Sequence, residues 1–129
     1  MTSGIGIDII EVDRIEKRIG NESGFREFIF HPSEIEYCES KTNKYEHYAA
    51  RFAAKEALLK ALGTGLNGGL VLNEVAVVND KAGKPEFNFY HSAFQLMESK
   101  GKLVIHLSLS HLKSIAIGMV VIEMLHDQN

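Results

Sequence analysis

At 129 residues, 45% apolar and 24% charged, the chain can build one hydrophobic core but not two, so a single domain over 1–129 is expected. A net charge of −3 gives nucleic-acid binding no electrostatic support, although six histidines leave that charge pH-dependent near neutrality. The lone cysteine, Cys38, excludes an intrachain disulfide and a multi-cysteine metal site, and no apolar run reaches the roughly 18 residues of a membrane span.

Residues 4–10 read as a strand, because the isoleucines favour it and Gly4 and Gly6 permit close backbone approach. This first apolar run is short and interrupted by Asp8, so it is no signal peptide and a cytoplasmic location is expected. Asp8 itself is the anomaly, since an isolated buried carboxylate is costly. Either it points to water or caps the next element, or it is held there to bind a cation. A helix over 11–19 comes next, with Val12, Ile15 and Ile19 as its inner stripe and Gly20-Asn21 as its end. Arg14, Lys17 and Arg18 lie off that stripe, as a solvated face or as a patch that steers an acidic protein surface.

Residues 24–30 form a short helical segment with Phe25, Phe28 and Ile29 inward and Arg26 outward, and Pro32 breaks it. Ser33 to Glu36 has capping-box spacing and starts a helix over 33–40, in which Cys38 is expected as a half-buried structural thiol. A polar loop, 41–44, leads to the principal helix, which begins near 45–48 and ends at Leu62. Its last fourteen residues, 49–62, hold six alanines and three leucines with no Gly or Pro, and Gly63 suits the left-handed residue after a helix. Small alanines around most of its circumference suggest close packing on several sides. Phe52, Glu56 and Lys60 succeed one another at i, i+4. Glu56 and Lys60 could be an ordinary helical ion pair, or a carboxylate and an ammonium kept on an apolar stripe for chemistry.

The glycine-rich loop 63–69 is no P-loop, because it lacks Gly-Lys-Ser/Thr and comes after a helix. Its backbone N–H groups could still approach a phosphate, or it could be a plain connection. Residues 72–79 and 85–90 read as a hairpin around an 80–83 turn, and 92–99 as a helix with Ser92 as N-cap. Residues 103–111 alternate at their end, with His106, Ser108 and Ser110 on one face and Leu107 and Leu109 on the other. A last strand over 115–125 precedes a tail, 126–129, expected to fray. The fold class is therefore α+β, a mostly antiparallel sheet packed against a long Ala-rich helix.

No Gly-x-Ser-x-Gly elbow occurs, and Cys38 sits among glutamates, a poor place for a thiolate. Asp8 and Glu56 could meet if the first strand lies beside the principal helix. Two close carboxylates repel, and a hard cation resolves that repulsion. Mg²⁺ takes one or two protein carboxylates together with phosphates and waters, and Arg51, Lys55, Lys60 and the glycine loop could contact phosphate. The residues alone thus point to metal-assisted chemistry at a phosphate.

Four blocks make this more specific: residues 4–9 with Glu11 and Arg14; 51–57 with 60–65; Asn79 with 83–85; and 106–111. In this order they resemble the holo-[acyl-carrier-protein] synthases, the small bacterial-type 4′-phosphopantetheinyl transferases. The resemblance implies the 4′-phosphopantetheinyl transferase fold. It also implies transfer of phosphopantetheine from coenzyme A to a serine of apo-acyl carrier protein, with release of adenosine 3′,5′-bisphosphate, Mg²⁺ as cofactor and a place in fatty acid biosynthesis. By the same resemblance Asp8 and Glu56 hold the metal, Lys60 contacts the pyrophosphate and His111 lies near the coenzyme A phosphates. Glu56, Lys60 and His111 are then the catalytic set. Arg51, Lys60, Gly63, Gly65, Pro85 and His111 are expected to bind coenzyme A, although Arg51 could instead only brace the helix. Arg14 is a carrier-protein docking position, with Lys17, Arg18 and Arg26 as looser matches. The family is homotrimeric, with sites between adjacent subunits.

Overall fold

The computed structural model describes residues 1–126. Strand β1 (Thr2–Glu11) runs antiparallel to β5 (Ile115–Met124), and β5 runs antiparallel to β4 (Leu103–His111), giving a three-stranded sheet in the order β1-β5-β4. A separate antiparallel hairpin joins β2 (Val75–Asn79) to β3 (Pro85–Phe89). Between β1 and β2 lie α1 (Val12–Gly20), α2 (Phe25–Ile29), α3 (Pro32–Glu39) and the 19-residue α4 (Lys44–Leu62), and α5 (His91–Glu98) joins β3 to β4. The α+β architecture with antiparallel sheets and one long helix is as expected. Of the expected tail, residues 127–129 lie outside the described residues.

Helix α4 lies against β1 and β5, and small residues on both partners explain how. A Cβ on Gly6 would land on the Ala57 carbonyl, and one on Gly4 on the Ala61 carbonyl. One on Gly118 of β5 would stand 2.7 Å from the Ala53 carbonyl carbon and the Ala54 nitrogen. Glycine in the strands and alanine in the helix therefore let the two backbones approach more closely than any larger pair allows. Tyr48, Ala53, Ala54, Ala57 and Leu58 are buried, along with Arg51 and Lys55, so the helix is enclosed on most sides. The pleat turns Gly4, Gly6 and Asp8 toward α4, whereas Ile5, Ile7 and Ile9 stay exposed on the far face of the sheet.

The local differences from expectation have tertiary causes. The capping box of α3 is set two residues earlier: His31 Nδ1 accepts from Ser33 N, Glu34 Oε1 accepts from His31 N at 3.0 Å, and Pro32 opens the helix. Glu34 fills this role because Lys55 draws its carboxylate into the core. Phe28, expected inward, is 73% exposed, since Phe25 and Ile29 take the inner side of the five-residue α2. Residues Leu72–Glu74 form a 3₁₀ turn instead of extending β2, and the Leu72 carbonyl accepts from Lys55 Nζ at 3.0 Å. Tyr90, not Ser92, is the N-cap of α5, and Ser92 Oγ instead donates to the Glu74 carboxylate. Cys38 is fully buried, and burial pushes its thiol up to about 12, which removes it from nucleophilic chemistry.

Candidate active site

Two clusters of the expected residues form on opposite flanks of α4. On the β1 side, Asp8 and Glu56 line a cavity of about 500 Å³, together with Arg14, Arg18 and Phe52. Lys60 Nζ donates to Asp8 Oδ1 at 3.1 Å and to the Ile7 carbonyl at 2.9 Å. The Lys60 side chain is 54% exposed, so this ion pair contributes at most ~1 kcal/mol to stability and does not explain why three charges share the spot. Burial pushes the Glu56 carboxyl above the ordinary carboxylate range, and the Asp8 carboxylate adds to that push; Lys60 and Arg18 oppose it. Asp8 and Glu56 therefore offer two carboxylates, partly withdrawn from water, whose mutual repulsion a hard cation would relieve. No group of three or more His, Cys, Asp or Glu side chains suited to a metal occurs among the described residues. A pair of carboxylates with space beside it suits Mg²⁺, which completes its shell with water and phosphate. Gly63 and Gly65 close this end of α4 with φ of 76° and 55°, a conformation that L side chains seldom adopt.

On the opposite flank, Arg51, Pro85 and His111 line a second cavity of about 480 Å³ with Tyr37, His47 and Lys84. Arg51 is 3% exposed; its guanidinium stacks over the Tyr37 ring at 4.2 Å, and its Nε has no hydrogen-bond partner among the described residues. His111 Nδ1 lies 3.0 Å from Glu46 Oε1. A carboxylate only accepts, so Nδ1 carries the proton and Nε2 is left for a ligand. The cavity is cationic, with Arg51 and Lys84 at its wall, and suits an anion. Nine residues separate Arg51 from Lys60, and nine separate His47 from Glu56, about two and a half helical turns in each case. The two clusters therefore face away from each other, and one chain does not bring His111 to Lys60.

Of the four basic residues expected to dock a carrier protein, Arg14 and Arg18 stand one turn apart at the wall of the carboxylate cavity, and Lys17 is exposed beside them. Arg26 is committed within the chain, to Glu27 at 2.8 Å and Glu39 at 3.5 Å. Arg18, Phe52 and Glu56 also border an apolar groove of about 490 Å³ walled by Phe25, Phe28 and Val71. Lys55 is not the phosphate contact expected from its place in the helix. It is fully buried and donates to Glu34 Oε1 at 2.5 Å, the Ile29 carbonyl at 2.7 Å and the Leu72 carbonyl. Burial lowers its pKa and Glu34 opposes that shift. All three ammonium protons are thus taken up in tying α2, α3 and the 3₁₀ turn to α4. Tyr37 and His47, which line this cavity, and Glu46, which holds His111, were missed by the sequence reading. The one available signal was the i, i+4 spacing of His47 and Arg51, opposite the Glu56–Lys60 pair.

Comparison with known proteins bears on the family and the fold. Residues 4–119 match the model of the 4′-phosphopantetheinyl transferase superfamily. A holo-[acyl-carrier-protein] synthase of Cytophaga hutchinsonii is 49% identical over 123 residues, covering 94% of this chain and 97% of that protein. Another from a Geobacter species is 50% identical over 125 residues, covering 95% and 99%. Among solved structures, a holo-(acyl-carrier-protein) synthase from Bacillus anthracis in complex with CoA (3′,5′-ADP) superposes with a TM-score of 0.80 at 37% identity, covering 97% of this chain and 99% of that one.

Proposed function

The chain belongs to the 4′-phosphopantetheinyl transferase superfamily, within its holo-[acyl-carrier-protein] synthases, and from that premise we propose that it transfers 4′-phosphopantetheine from coenzyme A to a serine of apo-acyl carrier protein, with Mg²⁺ as cofactor. The products are holo-acyl carrier protein and adenosine 3′,5′-bisphosphate, and the reaction serves fatty acid biosynthesis in the cytoplasm. The observation that carries the reading is the meeting of Asp8 and Glu56 on one cavity between β1 and α4, with Lys60 bonded to Asp8.

The residues divide the work by their chemistry. The attacking serine hydroxyl must lose a proton, and Glu56, which lines the cavity beside Asp8, is the base suited to take it, directly or through a water. Asp8 is mainly a metal ligand. Mg²⁺, held by Asp8 and Glu56 when bound, supplies positive charge at the pyrophosphate. The exposed Lys60 ammonium can turn from Asp8 to the phosphate oxygens, where it stabilises the charge that develops on the leaving side. Arg51, Lys84, Pro85 and the free Nε2 of His111 form a binding surface for a phosphate-bearing part of coenzyme A. Arg14, Arg18 and Lys17, with Arg26 at the margin, offer positive charge to an acidic carrier protein at the cavity mouth.

The opposed flanks of α4 support a shared site, in which Asp8, Glu56 and Lys60 of one copy meet Arg51 and His111 of the next. A homotrimer built on the exposed face of Ile5, Ile7 and Ile9 is consistent with this, because such an apolar row on a sheet is suited to cover by another copy. Asp8→Ala and Glu56→Ala should each abolish transfer while the thermal unfolding transition remains cooperative. Near-normal transfer by either variant would overturn the assignment of the carboxylate pair.

A further inference from the structure

The cationic cavity contains a group that the reaction as drawn does not use. The His47 ring stands edge-on to Tyr37 at 5.6 Å and to His111 at 5.3 Å, and lines the cavity between them. Among the described residues its imidazole makes these ring contacts and no hydrogen bond, so both nitrogens remain available to a ligand. The charged and titratable groups around it are predominantly cationic. Arg51 and Glu46 come from α4, His111 from β4, Lys84 from the β2–β3 turn, Lys41 from the segment after α3 and Tyr37 from α3 itself. Glu46, the one carboxylate in this set, is already engaged by His111.

Resting on the coenzyme A reading above, we propose that His47 is a further contact for the phosphate-bearing end of coenzyme A and takes up a proton when that ligand binds. In the free protein, burial first, then Arg51, His111 and Lys41, hold the imidazole below its ordinary range, so it is neutral near pH 7. A phosphate entering beside it reverses the balance of charge and favours the imidazolium. Binding and protonation are then linked: affinity is higher on the acid side and falls as pH rises through the value His47 acquires in the complex. The 3′-phosphate also titrates near pH 6, but that contribution is common to the protein and its His47 variants and cancels in their difference.

Isothermal titration calorimetry with coenzyme A, in buffers of different ionisation heat, tests this on the intact protein and on His47→Phe, which keeps the ring contacts without the titration. Near pH 6.5 the parent protein should take up about half a proton more per coenzyme A than the variant. Its affinity should be severalfold higher at pH 6, with the difference closing above pH 8. His47→Gln, polar but uncharged, should show the same loss of proton uptake if the phenylalanine disturbs the ring stack. Equal proton uptake in parent and variants overturns the role of His47 and leaves the binding reading intact. Absence of coenzyme A binding by the parent protein overturns the binding reading itself, and this role with it.

Discussion

Glu56 shows what withdrawing a carboxyl from water beside a second one costs the fold. Its carboxyl holds a proton to higher pH in the folded chain than in the unfolded one, because burial and Asp8 disfavour the charged form. The contribution of that difference to stability is present at low pH and is lost as pH rises through the raised value, so the ionised group is a net cost at neutral pH. Glu56→Gln should therefore raise the Tm at pH 7 in metal-free buffer, with the gain vanishing near pH 4, while transfer is lost. A lower Tm at pH 7 would show that Lys60 and Arg18 outweigh the desolvation. This residue and Asp8 stood out in the sequence because a carboxylate amid isoleucines or alanines is costly, but an ordinary ion pair and a water-facing aspartate remained open until the family resemblance was added. Lys55 was not legible as structural: its partners Ile29, Glu34 and Leu72 are distant in the chain, and only their meeting in the core shows that its protons are spent. His47 was missed because its one local signal, the i, i+4 spacing to Arg51, is too common on helices to mark a site.

Among the elements, the contact between β1 and α4 sets the proposed active site, since it fixes how far Asp8 lies from Glu56 and Lys60. Gly6→Ala would drive a Cβ into the Ala57 carbonyl and push the helix off the strand. Unfolding by urea should show a loss of about 1–3 kcal/mol, the usual cost of overpacking, with transfer reduced further because the carboxylates separate. Gly20→Ala, where an added Cβ meets nothing within 4 Å, should change neither property. Equal effects of the two substitutions would contradict the close-packing account. Strands and helices were readable because isoleucine runs, alanine content and alternation act locally. The start of α3, the 3₁₀ turn before β2 and the exposure of Phe28 were not, because tertiary partners decide them. The glycines were readable as sites of close approach and the Ala-rich helix as the partner of the sheet, but which alanine meets which glycine was not.

For the whole molecule, α4 holds the two residue clusters on opposite flanks, so the shared site we propose would be complete only when copies assemble. Lys60→Ala and Arg51→Ala should each be inactive alone, yet co-expressed chains should recover transfer, because some interfaces would join two intact half-sites. A mixture as inactive as either variant would contradict a shared site. None of this geometry can be read from periodicity or composition, which specify which residues share a face of one element and not which surface another copy covers. The central claim, that this chain moves phosphopantetheine, is tested most directly by the intact mass of an apo-acyl carrier protein incubated with the protein, coenzyme A and Mg²⁺. The expected result is a gain of roughly 340 Da, the mass of one phosphopantetheine group, abolished by EDTA. An unchanged mass with several carrier proteins, under conditions in which coenzyme A binds, would contradict it.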